Sequence, residues 1–146
     1  MEFTVSQVAE ILGCDPTDIA QIGQIIPPDN PGRGKGTRSK YSFKNLVEVQ
    51  IFRLLNQFGV PRKRIREYVD NLSKLKFPWL NENNVQGWAV LDDKWGWSIG
   101  STPNDAIEVI THNHPVGAAV VIDIGRIKYA LYERIKELEY NVGRIE

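Results

Sequence analysis

A stretch of turn-forming residues divides the first half of this chain into two helical parts. Residues 27–40 read PPDNPGRGKGTRSK, with three prolines and three glycines in the first ten positions. Proline lacks the amide hydrogen that a helix needs, and glycine loses the most entropy on ordering, so this segment cannot be helical. We therefore expect helices on either side of a loop that carries Arg33, Lys35, Arg38 and Lys40.

The residues before this loop predict two short helices. Thr4 to Gln7 form a capping-box pattern, Gly13 is a stop signal, and Asp15-Pro16 is typical of a second helix start. Apolar residues recur at helical spacing in both segments. They are Val8, Ile11, Leu12, Ile19 and Ile22. Two short helices joined by a turn with glycine at the bend are typical of a helix-turn-helix.

Two longer amphipathic helices are predicted after the loop. Ser42 caps the first and Gly59 ends it, and Pro61 opens the second. Each helix has an apolar face that can contribute to a shared core. The core positions are Leu46, Val47, Ile51, Leu54, Leu55 and Phe58, then Ile65, Tyr68, Val69 and Leu72.

Four short strings resemble the MerR family of winged helix-turn-helix proteins in their order and approximate spacing. They are VSQVAEILG at 5–13, IIPP at 25–28, KYS at 40–42 and FGVP at 58–61. The resemblance covers about half of the chain. It implies that the second helix enters the DNA major groove and that the loop forms a wing on the DNA backbone. Members of this family usually dimerise through a C-terminal helix.

Carried onto this chain, the resemblance makes residues 17–24 the reading segment and residues 33–41 the wing. Basic side chains on a loop or at a helix start are suited to phosphate contacts. Those candidates are Arg33, Lys35, Arg38, Lys40, Arg62, Lys63 and Arg64, and the resemblance adds Tyr41 as a residue of the wing. Short polar side chains are suited to base contacts. Those candidates are Thr17, Gln21 and Gln24, although Thr17 could simply stabilise the helix start.

Charge is segregated along the chain although the total is zero. Residues 1–32 have five acidic residues and no Lys or Arg. Residues 33–76 have twelve basic and three acidic residues, a net charge of +9, and residues 77–146 have a net charge of −4. Such a concentrated positive region is typical of a module that neutralises phosphates. A solvated basic face without a partner is the alternative interpretation.

The second half predicts a small sheet. Residues 76–86 are polar and aromatic and suggest a linker, and residues 88–91 and 95–99 fit a β-hairpin. A short helix from Thr102 and an apolar strand at 118–122 would complete a β-β-α-β unit. We therefore predict an α+β fold in three parts. These are a winged helix-turn-helix of about four helices at 1–75, a linker at 76–86, and an α+β unit at 87–146.

The last predicted helix is long, is capped by Asp123, and carries an apolar stripe. The stripe residues are Ile124, Ile127, Leu131, Ile135 and Leu138. Their intervals of three and four fit a seam between two copies of the chain, and we predict a homodimer. Packing of the stripe on the chain's own sheet is the alternative.

Composition excludes several other classes. One cysteine, Cys14, with His112 and His114 leaves too few ligands for a closed zinc site, so we expect no metal and no cofactor. No nucleophile, base and orienting group occur together, which predicts that the chain is not an enzyme. No apolar stretch approaches the roughly 18 residues of a membrane span, and the N-terminus lacks the pattern of a signal peptide. We therefore expect a cytoplasmic protein.

These features together predict a regulator of transcription that binds double-stranded DNA as a dimer. The alternative is a protein-interaction module, as in phage packaging, recombination-accessory or antitoxin proteins. In that case the helix-turn-helix is a scaffold and the Trp-rich second half is the working surface. The absence of basic residues from the second helix motivates this alternative.

Overall fold

In the part of the chain that it describes, the computed structural model combines helices with two small antiparallel sheets, which agrees with the predicted α+β class. The residues that it describes are 1–33, 38–74, 87–92, 96–100, 102–105, 107–108 and 120–138. The predicted linker at 76–86 and Lys35 lie outside these ranges. Within them, no helix has both the length and the apolar character needed to cross a membrane.

Helices α1 (Val5–Leu12) and α2 (Pro16–Ile22) form a helical hairpin. The predicted capping box at the start of α1 is confirmed. The hydroxyl of Thr4 accepts a hydrogen bond from the amide of Gln7, and the side chain of Gln7 accepts one from the amide of Thr4. Gly13 ends α1 with φ of 69°, in the left-handed region that glycine adopts at least cost. The chain can therefore turn sharply into α2.

The loop that follows α2 is closed by backbone pairing. Asn30 and Lys40 exchange two backbone hydrogen bonds, with N to O distances of 3.1 and 2.6 Å. Directly after this bridge, strand β2 (Tyr41–Ser42) pairs antiparallel with strand β1 (Glu2–Phe3). The first residues of the chain thus hold the base of the loop.

A buried asparagine fastens the loop to helix α3 (Phe43–Gln57), whose N-cap is Ser42. Asn45 is only 2% exposed, and its Oδ1 accepts hydrogen bonds from the amides of Asp29 (2.9 Å) and Ser42 (3.0 Å). Its Nδ2 donates to Asp29 and to the buried Glu48, at 3.4 Å each. The Ser42 hydroxyl also donates to Asp29 Oδ2 at 2.6 Å. The segments on both sides of the loop are therefore tied to one side chain.

Helix α3 is the centre of the core, because nine of its 15 residues are buried. Helix α4 (Arg62–Lys74) packs against it, and so does the last helix, α5 (Ile124–Glu137). Phe43 is 1% exposed and stacks on Tyr132 of α5, with 4.4 Å between ring centroids. The prediction that Phe58 lies on the buried face is wrong. It is the residue after α3, where the helix has ended, and it is 72% exposed.

The second sheet has β3 (Trp88–Asp92) in the centre, with β4 (Gly96–Gly100) and β5 (Val120–Asp123) on its two sides. All neighbours are antiparallel. Residues 103–105 and 107–108 are helical, so the order strand, strand, helix, strand agrees with the predicted unit. Helix α5 follows β5 directly and lies against α1 and α3, which brings the second half of the chain onto the first.

The apolar stripe of α5 packs within its own chain. Asp123 caps the helix as predicted, since its Oδ1 accepts a hydrogen bond of 2.9 Å from the amide of Arg126. Three stripe residues are buried and two are partly buried against the core. They are Ile124, Leu131 and Ile135, then Ile127 and Leu138. Lys128, which does not belong to the stripe, is also buried, at 1% exposure. The chain's own core therefore covers much of the stripe, and dimerisation through it stays a prediction.

The Tyr41 hydroxyl lies so close to Gly23 that we expect a larger residue at position 23 to destabilise the fold. A Cβ added at Gly23 would lie 2.7 Å from the Tyr41 hydroxyl, and Tyr41 is 2% exposed and has little room to move. We expect Gly23→Ala to lower the free energy of unfolding by about 1–3 kcal/mol, measured by urea denaturation. In a Tyr41→Phe background the clashing oxygen is gone, and the same substitution should cost less than about 1 kcal/mol. Equal costs in both backgrounds would contradict this contact.

Candidate nucleic-acid interface

A polar hollow of about 240 Å³ lies beside the exposed face of α2, and we call it the α2 hollow. Three helices contribute to it. Its lining consists of Asp18, Gln21 and Ile22 of α2, Phe52, Arg53, Asn56 and Gln57 at the end of α3, and Arg62 at the start of α4. A side-chain amide of α2 and two cations from other helices therefore share one concave surface.

Arg53 is fixed in the wall of the α2 hollow by contacts to two helices. Its Nη1 donates to the carbonyl of Leu12 at the end of α1, at 2.8 Å, and to Oε1 of Gln50, at 3.3 Å. Carbonyls at the C-terminus of a helix lack an intrahelical partner and carry partial negative charge. The guanidinium therefore satisfies one of them and holds α3 against the turn between α1 and α2.

The predicted base-reading residues are all exposed. Thr17 and Gln21 lie on α2, and Gln24 follows it, but only Gln21 lines the α2 hollow. Asp18 also lines the hollow, and Asp15 is the N-cap of α2 without a side-chain capping bond. Helix α2 thus presents hydrogen-bonding groups and negative charge, while the cations around it come from α3 and α4.

The loop residues divide into exposed and buried groups. Arg33 and Arg38 are exposed, and Lys40 is half-buried at the bridge that closes the loop. Tyr41 is buried in the core, and this burial raises the pKa of its hydroxyl. Its side chain lies against Gly23 rather than in solvent, so we leave it out of the proposed interface.

The three cations at the start of α4 have different surroundings. Arg62 and Lys63 are exposed, and Arg62 lines the α2 hollow. Arg64 instead donates to Glu67 at 3.3 Å, and its guanidinium lies 5.8 Å from the centre of the Tyr68 ring. Arg64 is engaged along its own helix, and Lys63 does not line the α2 hollow. Arg62 is therefore the best placed of the three to contact a ligand bound beside α2.

Sequence reasoning did not select Arg53, Asn56 and Gln57 for the interface. The signal was available, because residues three and four positions apart share a face of a helix. These three polar residues lie in the C-terminal third of α3. The pattern could have placed them on one exposed surface, but not next to α2, since that contact depends on how the helices pack.

The turn between α1 and α2 contains the half-buried Cys14. Burial raises the pKa of its thiol, and although Arg53 lowers the pKa, Asp18 and Asp15 raise it further. The thiol is therefore uncharged at neutral pH and adds no charge to the interface. Within the described part of the chain, no three His, Cys, Asp or Glu residues are grouped as metal ligands. His112 and His114 lie outside that part.

No protein-family model matches this chain, and no curated protein is similar enough to it to count as a relative. Its function therefore has to be inferred from the arrangement of its own side chains.

Proposed function

We propose that this chain is a DNA-binding regulator of transcription whose N-terminal half is a winged helix-turn-helix. The observation that carries the proposal is the α2 hollow, where Gln21 of α2 shares a concave surface with Arg53 and Arg62. Glutamine can pair with adenine in the major groove, and arginine neutralises phosphates. A helix that reads bases needs both kinds of group on the same side of the protein.

The loop between Asn30 and Lys40 is the proposed wing. Its ends are joined by two backbone hydrogen bonds, and it carries the exposed Arg33 and Arg38. The Asn45 network and the pairing of β1 with β2 give the loop a fixed base next to α3. A loop with a fixed base can place its cations on the DNA backbone at a constant distance from α2.

The second candidate function, a protein-interaction module, is favoured by the charge of α2 itself. This helix has no basic residue and exposes Asp18, which would repel phosphates. In that case the helix-turn-helix would be a scaffold, and the Trp-rich second half would bind the partner protein. The two candidates differ in whether the chain binds duplex DNA at low salt.

The experiment is a titration of a labelled DNA duplex by fluorescence anisotropy over a series of salt concentrations. We expect binding that weakens steeply with salt, because each neutralised phosphate releases counterions. Arg62→Ala should reduce the slope of log affinity against log salt by about 1. The combined change of Arg33, Lys35 and Arg38 to alanine should weaken binding by about ten- to a hundredfold at physiological salt.

A charge-matched control is available on the last helix. Changing Arg126, Arg134 and Lys136 to alanine also removes three positive charges, but from α5. We expect this control to weaken DNA binding less than about threefold. Equal losses in the two triple variants would mean that net charge alone causes binding, and no binding at low salt would favour the interaction module. Sedimentation velocity on the same samples tests the predicted homodimer.

A further inference from the structure

A larger and mainly apolar hollow of about 400 Å³ lies where α1 and α3 meet β5 and α5, and we call it the α5 groove. Leu55, Ile122 and Leu131 belong to its buried lining. Phe58 and Val121 also line it and are 72% and 40% exposed. Large apolar side chains left exposed beside a concave apolar surface indicate an apolar occupant. The volume is within the range of roughly 300–1,000 Å³ that is usual for small-molecule sites.

The edge of the α5 groove along α5 is cationic. Arg126, Ala130 and Arg134 follow one another at intervals of four, so they lie on one side of the helix, and all three are exposed and line the groove. The two arginines are about 12 Å apart along the helix axis, and the small side chain of Ala130 leaves space between them. The groove therefore combines an apolar floor with positive charge at two points of one edge.

Two acidic residues near this edge form hydrogen bonds with α5. Asp123 lines the groove, and its Oδ1 accepts the capping hydrogen bond from the amide of Arg126. Glu137 accepts a hydrogen bond of 3.1 Å from Arg134 but does not line the groove. The Arg134 side chain is still 44% exposed, so this surface ion pair can be exchanged at little cost.

We propose that the α5 groove binds a small amphiphilic carboxylate, of the class of a medium-chain fatty acid. The alkyl chain lies on the apolar floor, and the carboxylate meets Arg126 or Arg134. Arginine is the side chain best suited to a carboxylate, since its guanidinium can donate two parallel hydrogen bonds. This site is independent of the proposed DNA contacts, because neither α2 nor the loop contributes to it.

The test is calorimetric titration of the full chain with decanoate, decanol and decylamine, each below its critical micelle concentration. We expect the affinity for decanoate to be at least about tenfold higher than the affinity for decanol or decylamine, because only the carboxylate forms charge-assisted hydrogen bonds with arginine. Ala130→Phe, at an exposed position on the edge, should fill the groove and weaken binding of decanoate and decanol alike.

Two variants separate the charge contribution from the apolar one. The combined Arg126→Gln and Arg134→Gln change should remove the preference for decanoate and leave decanol binding unchanged. Lys136→Gln removes an exposed cation of α5 that does not line the groove, and it should leave both affinities unchanged. Circular dichroism melting checks that every variant is folded.

Three results would overturn the proposal. The first is that the folded protein binds no decyl compound. The second is that Lys136→Gln weakens the binding of decanoate as much as the double arginine change does. The third is concentration-dependent self-association, seen by sedimentation, that Ala130→Phe abolishes while decanoate does not bind. In that case a second copy of the chain is the occupant. A failure of DNA binding would not alter any of these readouts.

Discussion

Phe43→Ala is expected to lower the free energy of unfolding by about 3–5 kcal/mol, the usual cost of truncating a buried phenylalanine. Phe43 is 1% exposed and stacks on Tyr132 with 4.4 Å between ring centroids. The substitution therefore removes apolar burial at the start of α3 and also the aromatic contact that joins α3 to α5. Urea denaturation followed by circular dichroism measures the effect.

The matched control is the same substitution at Phe58. This side chain is 72% exposed, and truncating it should change the free energy of unfolding by less than about 0.5 kcal/mol. Phe43→Leu should fall between the two, because it keeps most of the buried volume and loses only the ring stacking. If Phe43→Ala cost no more than Phe58→Ala, the stack of Phe43 on Tyr132 would not exist in solution.

Asn45→Ala is expected to cost about 2–4 kcal/mol of unfolding free energy. The substitution removes the acceptor shared by the amides of Asp29 and Ser42, at 2.9 and 3.0 Å, and each amide left unsatisfied costs about 1–3 kcal/mol. It also removes the donor to Glu48, which is 3% exposed and has little access to water. Thermal and urea denaturation give the cost.

Gln7→Ala is a suitable control, because Gln7 holds the corresponding position in the capping box of α1. Its side chain accepts a hydrogen bond from the amide of Thr4, three residues earlier, whereas the side chain of Asn45 also binds Asp29, sixteen residues away. We expect a cost of about 0.5–1.5 kcal/mol. Equal costs for the two substitutions would mean that the hydrogen bonds between Asn45 and Asp29 contribute nothing to the free energy of unfolding.

Local signals in the sequence predicted most helix boundaries correctly. Thr4, Ser42 and Asp123 were identified as caps, and each accepts a hydrogen bond from an amide three residues later. These signals are reliable because a cap depends only on a few neighbouring residues. The order of strands and helices in the second half was predicted for the same reason, from turn residues and short apolar runs.

The environment of individual polar residues was not predictable in this way. Glu48 and Lys128 were not expected in the core, yet they are 3% and 1% exposed. Burial of a polar side chain depends on how helices pack, as α5 packs on α3 from about 80 positions away, and hydrophobic periodicity carries no such long-range information. For the same reason the sequence left open whether the apolar stripe of α5 packs on a second copy or on the chain's own sheet.

The candidate interface was predicted in part. Exposure of Gln21, Arg33 and Arg62 agrees with the roles assigned to them, because polar residues on short helices and loops are generally exposed. The addition of Arg53 required the structure, since its position depends on the hydrogen bond to the Leu12 carbonyl. That Tyr41 lies in the core, against Gly23, also depends on tertiary packing and could not be predicted from local sequence.

The bridge between Asn30 and Lys40 has a consequence for how a gene for this chain can change in length. Because two backbone bonds join the ends of the loop, codons inserted between them lengthen a closed arc, and each doubling of its length costs only about 0.6 kcal/mol. One codon inserted within Phe43–Gln57 would instead rotate every later side chain of that helix by about 100° about its axis. Insertions and deletions should therefore be more frequent between Asn30 and Lys40 than within Phe43–Gln57.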